Sequence, residues 1–402
     1  MSAKLSEQKK RMINESELAI PTVQKDVIPA TGNRRIPVAA PVFAGKEKEY
    51  VADCMDSGWI SSSGKYVELF EASFAEFCGV RHAISCCNGT AALHLVLAAL
   101  GVGPGDEVIV PTLTFVATAN AVTYCGARPV MVDSEPVTWN LNPALVEAKI
   151  TSRTKGIIAV HLYGHPVEMD KLRSVARRHG LFFIEDAAEA HGAMYKGRRI
   201  GSLSDAAAFS FYGNKIIATG EGGMVTTNDH VLAARVRRLR GQGMDPDRRY
   251  WFPIVGYNYR MMNLPAAIGL AQLECADWHL RRRREVAAAY LRLLKDVSSL
   301  RWQTEREHTV HAYWMFTVIL DEEAVASRDD VMKYLQEHGI ETRPVFYPLH
   351  LLPPYRESAH NEVFPVAESL ARRGVSLPTW AGLSMDDINY VCARLRDCLP
   401  ED

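Results

Sequence analysis

The sequence predicts an α/β protein built on a mainly parallel sheet with helices on both faces. Apolar runs of strand length alternate with helical stretches six or seven times along the chain, which is typical of sheets whose strands are joined by helical crossovers. Several runs are apolar at consecutive positions, as expected for strands buried on both faces. A dinucleotide-binding fold would alternate similarly, but no G-x-G-x-x-G follows the first strand, and the glycines at 220–223 precede a strand rather than a helix.

Length and charge exclude several classes of protein. The chain has 402 residues, enough for two domains, and its 46 basic residues nearly balance 47 acidic ones. This balance argues against nucleic acid as a partner. No apolar run is long enough to span a membrane, and the N-terminus lacks the apolar segment of a secretory signal. The eight cysteines are irregularly spaced without a C-x-x-C, so we expect no metal site and no disulfide framework, and reduced thiols fit a cytoplasmic protein.

Three segments are predicted along the chain. Residues 1–35 are polar and charged and contain scattered prolines and a glycine, which indicates a loosely ordered extension. Residues 36–280 form the predicted large domain, which carries most of the strand-helix alternation. Residues 281–402 form a predicted smaller C-terminal domain, connected through a long helix at 280–294.

The individual elements follow from apolar spacing. The predicted strands of the large domain are at 82–86, 108–111, 127–133, 155–161, 181–184, 206–211 and 224–227. The predicted helices lie at 46–56, from 90 onward, in a segment opened by 112–120, and at 170–178, 230–240 and 262–273. In the smaller domain, alternation predicts a strand at 311–320. Ser327 and Ser384, each followed three residues later by Asp, predict helices that extend to about His338 and Cys398.

Lys215 lies in the loop between two of the predicted buried strands. The apolar run at 206–211 breaks at Gly213, and a glycine-rich turn at 220–223 leads into the next strand. An ordinary lysine in a loop is a solvated surface residue, but burial between strands disfavours its charge and lowers its pKa. A lysine of lowered pKa is the nucleophile that forms a Schiff base with a carbonyl compound near neutral pH. The sequence therefore predicts a Schiff-base lysine at this position.

Carboxylates end a buried strand about thirty residues upstream of that lysine. The apolar run at 181–184 is followed directly by Glu185 and Asp186, and Glu189 and His191 come next. Open α/β sheets bind their ligands at the carboxyl ends of their strands. A carboxylate that pairs with a pyridinium nitrogen and a lysine that forms a Schiff base are the minimum set for pyridoxal phosphate chemistry.

With its motifs in this order and at this spacing, the chain resembles the DegT/DnrJ/EryC1/StrS family of sugar aminotransferases from Ile36 to its C-terminus. The resemblance implies fold type I of the pyridoxal-phosphate enzymes. In that fold, a large domain with a mainly parallel seven-stranded sheet flanked by helices is joined to a smaller C-terminal α/β domain. It also implies pyridoxal 5'-phosphate as cofactor, with Lys215 and Asp186 as the catalytic residues.

A strand-to-helix turn at Asn88 and Gly89 is the candidate phosphate site. Free N–H groups at a helix N-terminus, together with a glycine that lets the backbone approach closely, favour an anion. The family resemblance assigns this turn, through Gly89 and Thr90, to the cofactor phosphate, with Ser210 as a further contact.

The same resemblance implies three more cofactor contacts. Phe115 is expected to stack on the cofactor ring, and Glu189 is expected to lie near the ring hydroxyl. Asn258 is expected to reach the cofactor phosphate from a neighbouring subunit, which implies a homodimer with shared active sites.

The candidate substrate residues lie in three segments. A hydroxyl-rich loop at 57–66 carries one tryptophan, and the segment 248–261 is dense in aromatic residues and arginines. Arg343 could hold a carboxylate or phosphate through two parallel hydrogen bonds. The resemblance places the first loop beside a sugar nucleotide and the second segment in the neighbouring subunit's site. The predicted substrate contacts are Trp59, Ser62, Lys65, Tyr250, Arg260 and Arg343.

The implied reaction moves an amino group from L-glutamate to a nucleotide-linked keto-deoxy sugar. The favoured substrate is GDP-4-keto-6-deoxymannose, aminated at C4 to give GDP-perosamine. A 3-keto sugar nucleotide or a cyclitol ketone remains open as a substrate of the same chemistry. A sugar dehydratase of the same fold carries histidine in place of the lysine, so Lys215 argues against it. A catalytically idle binding protein would not need Lys215 and Asp186 intact.

Overall fold

The computed structural model describes residues 34–321, 326–359 and 362–399. Its strands are short, and most of the residues in the central ones are buried. They are β1 (His82–Cys86), β2 (Glu107–Pro111), β3 (Arg128–Val132), β4 (Thr154–Val160), β5 (Phe182–Asp186), β6 (Met194–Tyr195), β7 (Arg198–Arg199), β8 (Ala206–Ser210), β9 (Gly223–Thr227), β10 (Leu300–Trp302), β11 (Thr309–Val310), β12 (Phe316–Leu320), β13 (Arg343–Pro344) and β14 (Gly374–Leu377).

Helices alternate with these strands through most of the described chain. They are α1 (Glu47–Ser57), α2 (Lys65–Cys78), α3 (Gly89–Ala99), α4 (Ala117–Tyr124), α5 (Pro143–Val146), α6 (Met169–Arg178), α7 (His230–Arg240), α8 (Asn263–Glu274), α9 (Ala276–Leu294), α10 (Arg328–Glu337), α11 (Pro365–Arg373) and α12 (Met385–Arg396). Short 3₁₀ helices lie at Glu147–Lys149, Leu162–Gly164, Leu349–Leu351 and Arg356–Ala359.

Side-chain caps fix where several helices begin. The hydroxyls of Ser327 and Ser384 accept hydrogen bonds from the N–H groups of Asp330 and Asp387, which confirms the two helix starts predicted in the smaller domain. Asn88 caps α3 in the same way through the Ala91 N–H. Each such cap satisfies a backbone donor that has no partner within the helix.

The central sheet has seven strands in the order β1-β9-β8-β5-β4-β2-β3. The pairs from β8 to β3 are all parallel, whereas β9 runs antiparallel to both β1 and β8. This confirms the mainly parallel seven-stranded sheet predicted from the sequence. Because the parallel strands β4, β5 and β8 end at the same edge of the sheet, the residues that follow them are brought together.

The described residues from 34 onward form one compact unit with two hydrophobic clusters. The larger cluster surrounds the seven-stranded sheet. The smaller cluster joins parts of α9, α10 and α12 to an antiparallel sheet of order β10-β12-β14-β13. The domain boundary between residues 280 and 281 stays a prediction. The predicted extension 1–35 lies outside the described residues except for its last two positions.

Two predicted elements begin later than expected. The strand predicted at 311–320 starts only at Phe316, because Tyr313 adopts a left-handed backbone with φ of 50°. The N–H of Trp314 donates to the Tyr163 carbonyl rather than to a neighbouring strand. The helix expected within 112–120 begins at Ala117, since the N–H of Thr112 continues the pairing of β2 with β3. In the described part of the chain, no helix is both long and apolar enough to cross a membrane.

A cluster of phenylalanines fixes the end of β8, where the Lys215 loop begins. The Phe74 ring lies 4.9 Å from that of Phe209 and 5.3 Å from that of Phe211, and Phe70 contacts Phe211 at 5.0 Å. All four side chains are fully buried. Rings at these separations with inclined planes pack favourably beyond their buried area, so α2 holds the strand that carries the loop.

Replacing Phe74 by alanine should lower the free energy of unfolding by about 3–5 kcal/mol, as expected for loss of a fully buried aromatic ring. Leu69→Ala, on the exposed face of the same helix, is the matched control and should change stability by about 0.5 kcal/mol or less. Denaturant unfolding of both variants measures the difference. Equal losses would show that the phenylalanine cluster does not support β8.

Candidate active site

Lys215 lies in the loop between β8 and β9 with its side chain 11% exposed. Its Nζ is 3.5 Å from the centroid of the Trp314 ring and 3.8 Å from Oε1 of Glu189. The N–H of Lys215 donates to the Tyr212 carbonyl at 2.8 Å, which fixes the backbone from which the side chain leaves. The lysine is therefore buried between one carboxylate and one aromatic face.

Asp186 ends β5 beside Ala208 of β8, so the strand pairing places it at the same sheet edge as the Lys215 loop. Its Oδ2 accepts a hydrogen bond of 2.7 Å from the Thr118 hydroxyl, and its Oδ1 accepts one of 3.2 Å from the Ala188 N–H. These donors come from the start of α4 and from the turn after β5. They orient a buried carboxylate that has no cation within ion-pair distance among the described residues.

Burial shifts the pKa values of all three central groups toward their neutral forms. Burial lowers the pKa of the Lys215 ammonium, although Glu189 and Asp186 oppose that effect. Burial also raises the pKa of the Asp186 carboxyl, and it raises that of Glu189 to about 7. A nearby cation favours each carboxylate, so a positively charged group that enters the site would favour ionised Asp186.

Glu189 is held at a fixed position by the backbone of a strained turn. Its Oε2 accepts a 2.7 Å hydrogen bond from the N–H of Tyr163, whose backbone is left-handed with φ of 56°. The remaining oxygen, Oε1, faces Lys215. A non-glycine residue in this conformation persists only where its surroundings hold it, and here the Trp314 N–H bonds the Tyr163 carbonyl.

Gly89 and Ser210 meet at the N-terminus of α3. A Cβ atom added at Gly89 would lie 2.6 Å from Cβ of Ser210, so only glycine fits there. The N–H groups of Gly89 and Thr90 occupy the first two positions of α3, where no partner exists within the helix. A helix N-terminus with free N–H groups beside a serine hydroxyl has the donors that a phosphate requires.

Phe115 lies on the loop before α4 with its side chain 55% exposed. Its ring contacts that of Phe346 at 5.8 Å, and Phe346 stacks on Tyr163 at 5.4 Å. An exposed ring supported from behind by other aromatic rings offers a free face to a planar ligand. The loop thus presents an aromatic surface at the sheet edge where Asp186 lies, since Thr118 of the following helix bonds Asp186.

The predicted substrate residues are more scattered within one chain. The side chain of Asn263 holds the loop at 57–66 by hydrogen bonds to the Trp59 carbonyl and from the Tyr66 N–H. Arg343 is close enough to Lys215 to lower its pKa. In the part of the chain that the structure describes, no hydrogen bond, ion pair or ring contact joins the remaining predicted residues to Lys215 or Asp186; these are Trp59, Ser62, Lys65, Tyr250, Asn258 and Arg260.

Sequence reasoning missed three residues that contact the central groups. Thr118 donates to Asp186, Tyr163 holds Glu189, and Trp314 covers Lys215. Thr118 lies three residues after Phe115 at a predicted helix start, and a hydroxyl at that point was the available signal. Tyr163 and Trp314 are brought in only by tertiary packing.

The pairing of a buried lysine after β8 with an oriented carboxylate at the end of β5 is that of a pyridoxal-phosphate-dependent transferase. A family model described as the DegT/DnrJ/EryC1/StrS aminotransferase family matches residues 42–396, and the chain belongs to this family.

Individual relatives and a solved structure agree with this assignment. The chain is 56% identical over 369 residues to a GDP-perosamine synthase of Caulobacter vibrioides, which covers 91% of this chain and 98% of the relative. It is 48% identical over 363 residues to a GDP-perosamine synthase of Escherichia coli O157:H7, over 90% and 98% of the two chains. The aminotransferase PseC of Helicobacter pylori, involved in the biosynthesis of pseudoaminic acid, superposes with a TM-score of 0.87 at 26% identity, over 91% and 99% of the chains.

Pyridoxal phosphate is the cofactor of this enzyme, and the residues present fit it. The N–H groups of Gly89 and Thr90 open α3 close to Ser210, where the helix offers them no partner, and Lys215 is buried with a lowered pKa. Asp186 is oriented by two donors and gains charge when a cation such as a pyridinium is close.

The Thr118 hydroxyl should matter for cofactor affinity. Thr118→Val removes the hydrogen bond that lowers the pKa of Asp186, and we expect pyridoxal phosphate to bind about 10-fold more weakly, since a hydrogen bond to a charged group is worth about 1.5 kcal/mol. Thr118→Ser keeps the hydroxyl and should bind like the natural protein. Titration of cofactor-free protein followed by absorbance measures both, and equal affinities of the two variants would contradict the role of this hydroxyl.

Proposed function

We propose that this enzyme transfers the amino group of L-glutamate to C4 of GDP-4-keto-6-deoxymannose and so forms GDP-perosamine. The observation that carries this proposal is the buried Lys215 beside Glu189 and Asp186, in a chain 56% and 48% identical to two GDP-perosamine synthases. The same chemistry on a 3-keto sugar nucleotide or a cyclitol ketone is the alternative.

In the proposed reaction, each central residue has a distinct task. When bound, the cofactor supplies an electron sink that stabilises negative charge at the carbon bearing the amino group. Lys215 would hold the cofactor covalently at rest. Its Nζ would then move a proton between the Cα of glutamate and the cofactor carbon that receives the nitrogen, first as general base and then as general acid. Asp186 would keep the ring nitrogen protonated, and Glu189 would lie near the ring hydroxyl.

The remaining contacts are proposed for the cofactor phosphate, the ring face and the sugar nucleotide. Gly89, Thr90 and Ser210 would bind the phosphate, and Phe115 would cover the ring. Their support is the cradle geometry at α3 and the free face of Phe115. The proposed sugar-nucleotide contacts are Trp59, Ser62, Lys65, Tyr250, Arg260 and Arg343.

We also propose a homodimer in which Asn258 completes the site of the neighbouring subunit. Asn258 is exposed and contacts neither Lys215 nor Asp186 within the described chain. The segment before it exposes large apolar side chains, including Tyr250 at 72% and Val255 at 91%. Contiguous exposed apolar groups of this kind mark interaction surfaces, which supports a subunit contact beside the site.

Incubation of the enzyme with L-glutamate and GDP-4-keto-6-deoxymannose should yield GDP-perosamine and 2-oxoglutarate, identified by mass spectrometry and NMR. Lys215→Ala should form no product because it lacks the proton carrier and the covalent anchor. Lys155→Ala, which removes an exposed lysine paired with Asp106, is the matched control and should remain active.

The same assay separates the alternatives. Amination of a 3-keto sugar nucleotide or a cyclitol ketone, without reaction of GDP-4-keto-6-deoxymannose, would keep the aminotransferase and replace the substrate. No amination of any ketone by enzyme saturated with cofactor would overturn the proposed activity.

The shared site is testable by complementation between subunits. Dimers co-expressed from Lys215→Ala and Asn258→Asp chains should recover about a quarter of the natural activity, because half of a random mixture is mixed dimer and each mixed dimer has one intact site. In the control, one chain carries both changes and its partner is natural, so mixed dimers have no intact site and the natural homodimers alone supply about a quarter of the natural activity. An inactive first mixture, together with a control that keeps about half of the natural activity, would place Asn258 in its own chain's site.

A further inference from the structure

Trp314 is a buried residue that contacts Lys215, and no sequence motif predicted this contact. It lies just before β12, in the part of the chain that follows the seven-stranded sheet, and its side chain is 4% exposed. The family motifs discussed above assign it no role. Its contacts nevertheless converge on Lys215 and on the loop that carries it.

Two contacts join the Trp314 side chain to the Lys215 loop. The ring face lies 3.5 Å from Nζ of Lys215, close enough for a cation–π attraction. The indole Nε1–H donates to the backbone carbonyl of Asn214 at 2.9 Å. One side chain thus holds both the amine and the backbone of the preceding residue, and neither contact depends on the other.

Trp314 is itself fixed from behind. Its carbonyl accepts a 2.8 Å hydrogen bond from Nη1 of Arg283, which also donates to the Thr379 carbonyl at 2.8 Å. Arg283 is 3% exposed, and among the described residues no carboxylate pairs with it. The backbone N–H of Trp314 donates to the Tyr163 carbonyl, and the Trp314 ring stacks on that of Tyr163 with planes 18° apart. The indole therefore has little freedom to move away from the lysine.

We propose that Trp314 is a positioning residue for Lys215, holding the amine when it is free of the cofactor. This inference rests on Lys215 acting as the proposed cofactor-binding lysine. A lysine released from its covalent bond would otherwise sample many side-chain conformations. The indole face and the anchored Asn214 carbonyl restrict the amine to a position beside Glu189, which is a contribution of orientation.

Four charged groups also act on Lys215. Glu189 and Asp186 favour the ammonium, whereas Arg343 and Arg283 disfavour it. His191 is buried nearby, and burial lowers its pKa to about 3, so it is neutral near pH 7. The ring of Trp314 stabilises the charged form. Its removal should therefore lower the pKa of Lys215, because desolvation is then opposed by the two carboxylates alone.

The test measures the pKa of Lys215 in cofactor-free protein, from the pH dependence of its labelling by acetic anhydride and peptide mass spectrometry. Trp314→Leu should lower that pKa by about half a unit to one unit, whereas Trp314→Phe, which keeps a ring face, should shift it less. In the loaded enzyme, Trp314→Leu should reduce kcat about 10-fold with KM for the sugar nucleotide nearly unchanged.

Trp302→Leu is the matched control, because Trp302 lies in β10 and contacts Phe316 rather than Lys215. It should lower thermal stability without moving the pKa of Lys215. An unchanged Lys215 pKa in Trp314→Leu, or an equal shift in Trp302→Leu, would overturn the proposal. Because the labelling needs neither sugar nor glutamate, this failure is distinct from failure of the amination assay.

Discussion

The burial of one amine is the constraint on which this site depends. The structure removes most of the Lys215 side chain from water and compensates with Glu189 on one side and an aromatic face on the other. A buried ammonium without such partners would be too costly to keep. A fully paired one would be too stable to lose its proton. The site lies between these limits, because burial lowers the lysine's pKa while the carboxylates hold it up.

Sheet topology brings the parts of this site to one edge. Asp186 ends β5 and Ser210 ends β8. The strand between β8 and β1, which is β9, runs antiparallel to both. Because β9 returns beside β1, the start of α3 comes next to the start of β9, and a Cβ at Gly223 would collide with the Asn88 backbone. Since β1 and β8 both run antiparallel to β9, they are parallel to each other, and the helix N-terminus that follows β1 lies at the same sheet edge as the lysine loop.

The sequence contains most of this arrangement but not all of it. Asp186 and Lys215 follow apolar strands in the local sequence, so both the sheet and the central pair are predictable from short-range pattern. Thr118 and Trp314 reach the site through contacts far apart in the chain, and a single hydroxyl or aromatic residue has no local signature. The strand predicted at 311–320 is wrong over its first half, because Tyr313 has a left-handed backbone conformation. Apolar alternation in the sequence does not reveal such a conformation.

The close contact between Gly89 and Ser210 has a consequence for how relatives of this protein are interpreted. A side chain at position 89 would collide with the serine whether or not any phosphate is present. A related protein that has lost its catalytic activity would thus still require glycine at that position for packing. Glycine at this position in a related protein is therefore weak evidence of activity. A lysine at the buried position of Lys215 is stronger evidence, because packing alone gives no reason to keep a buried charge.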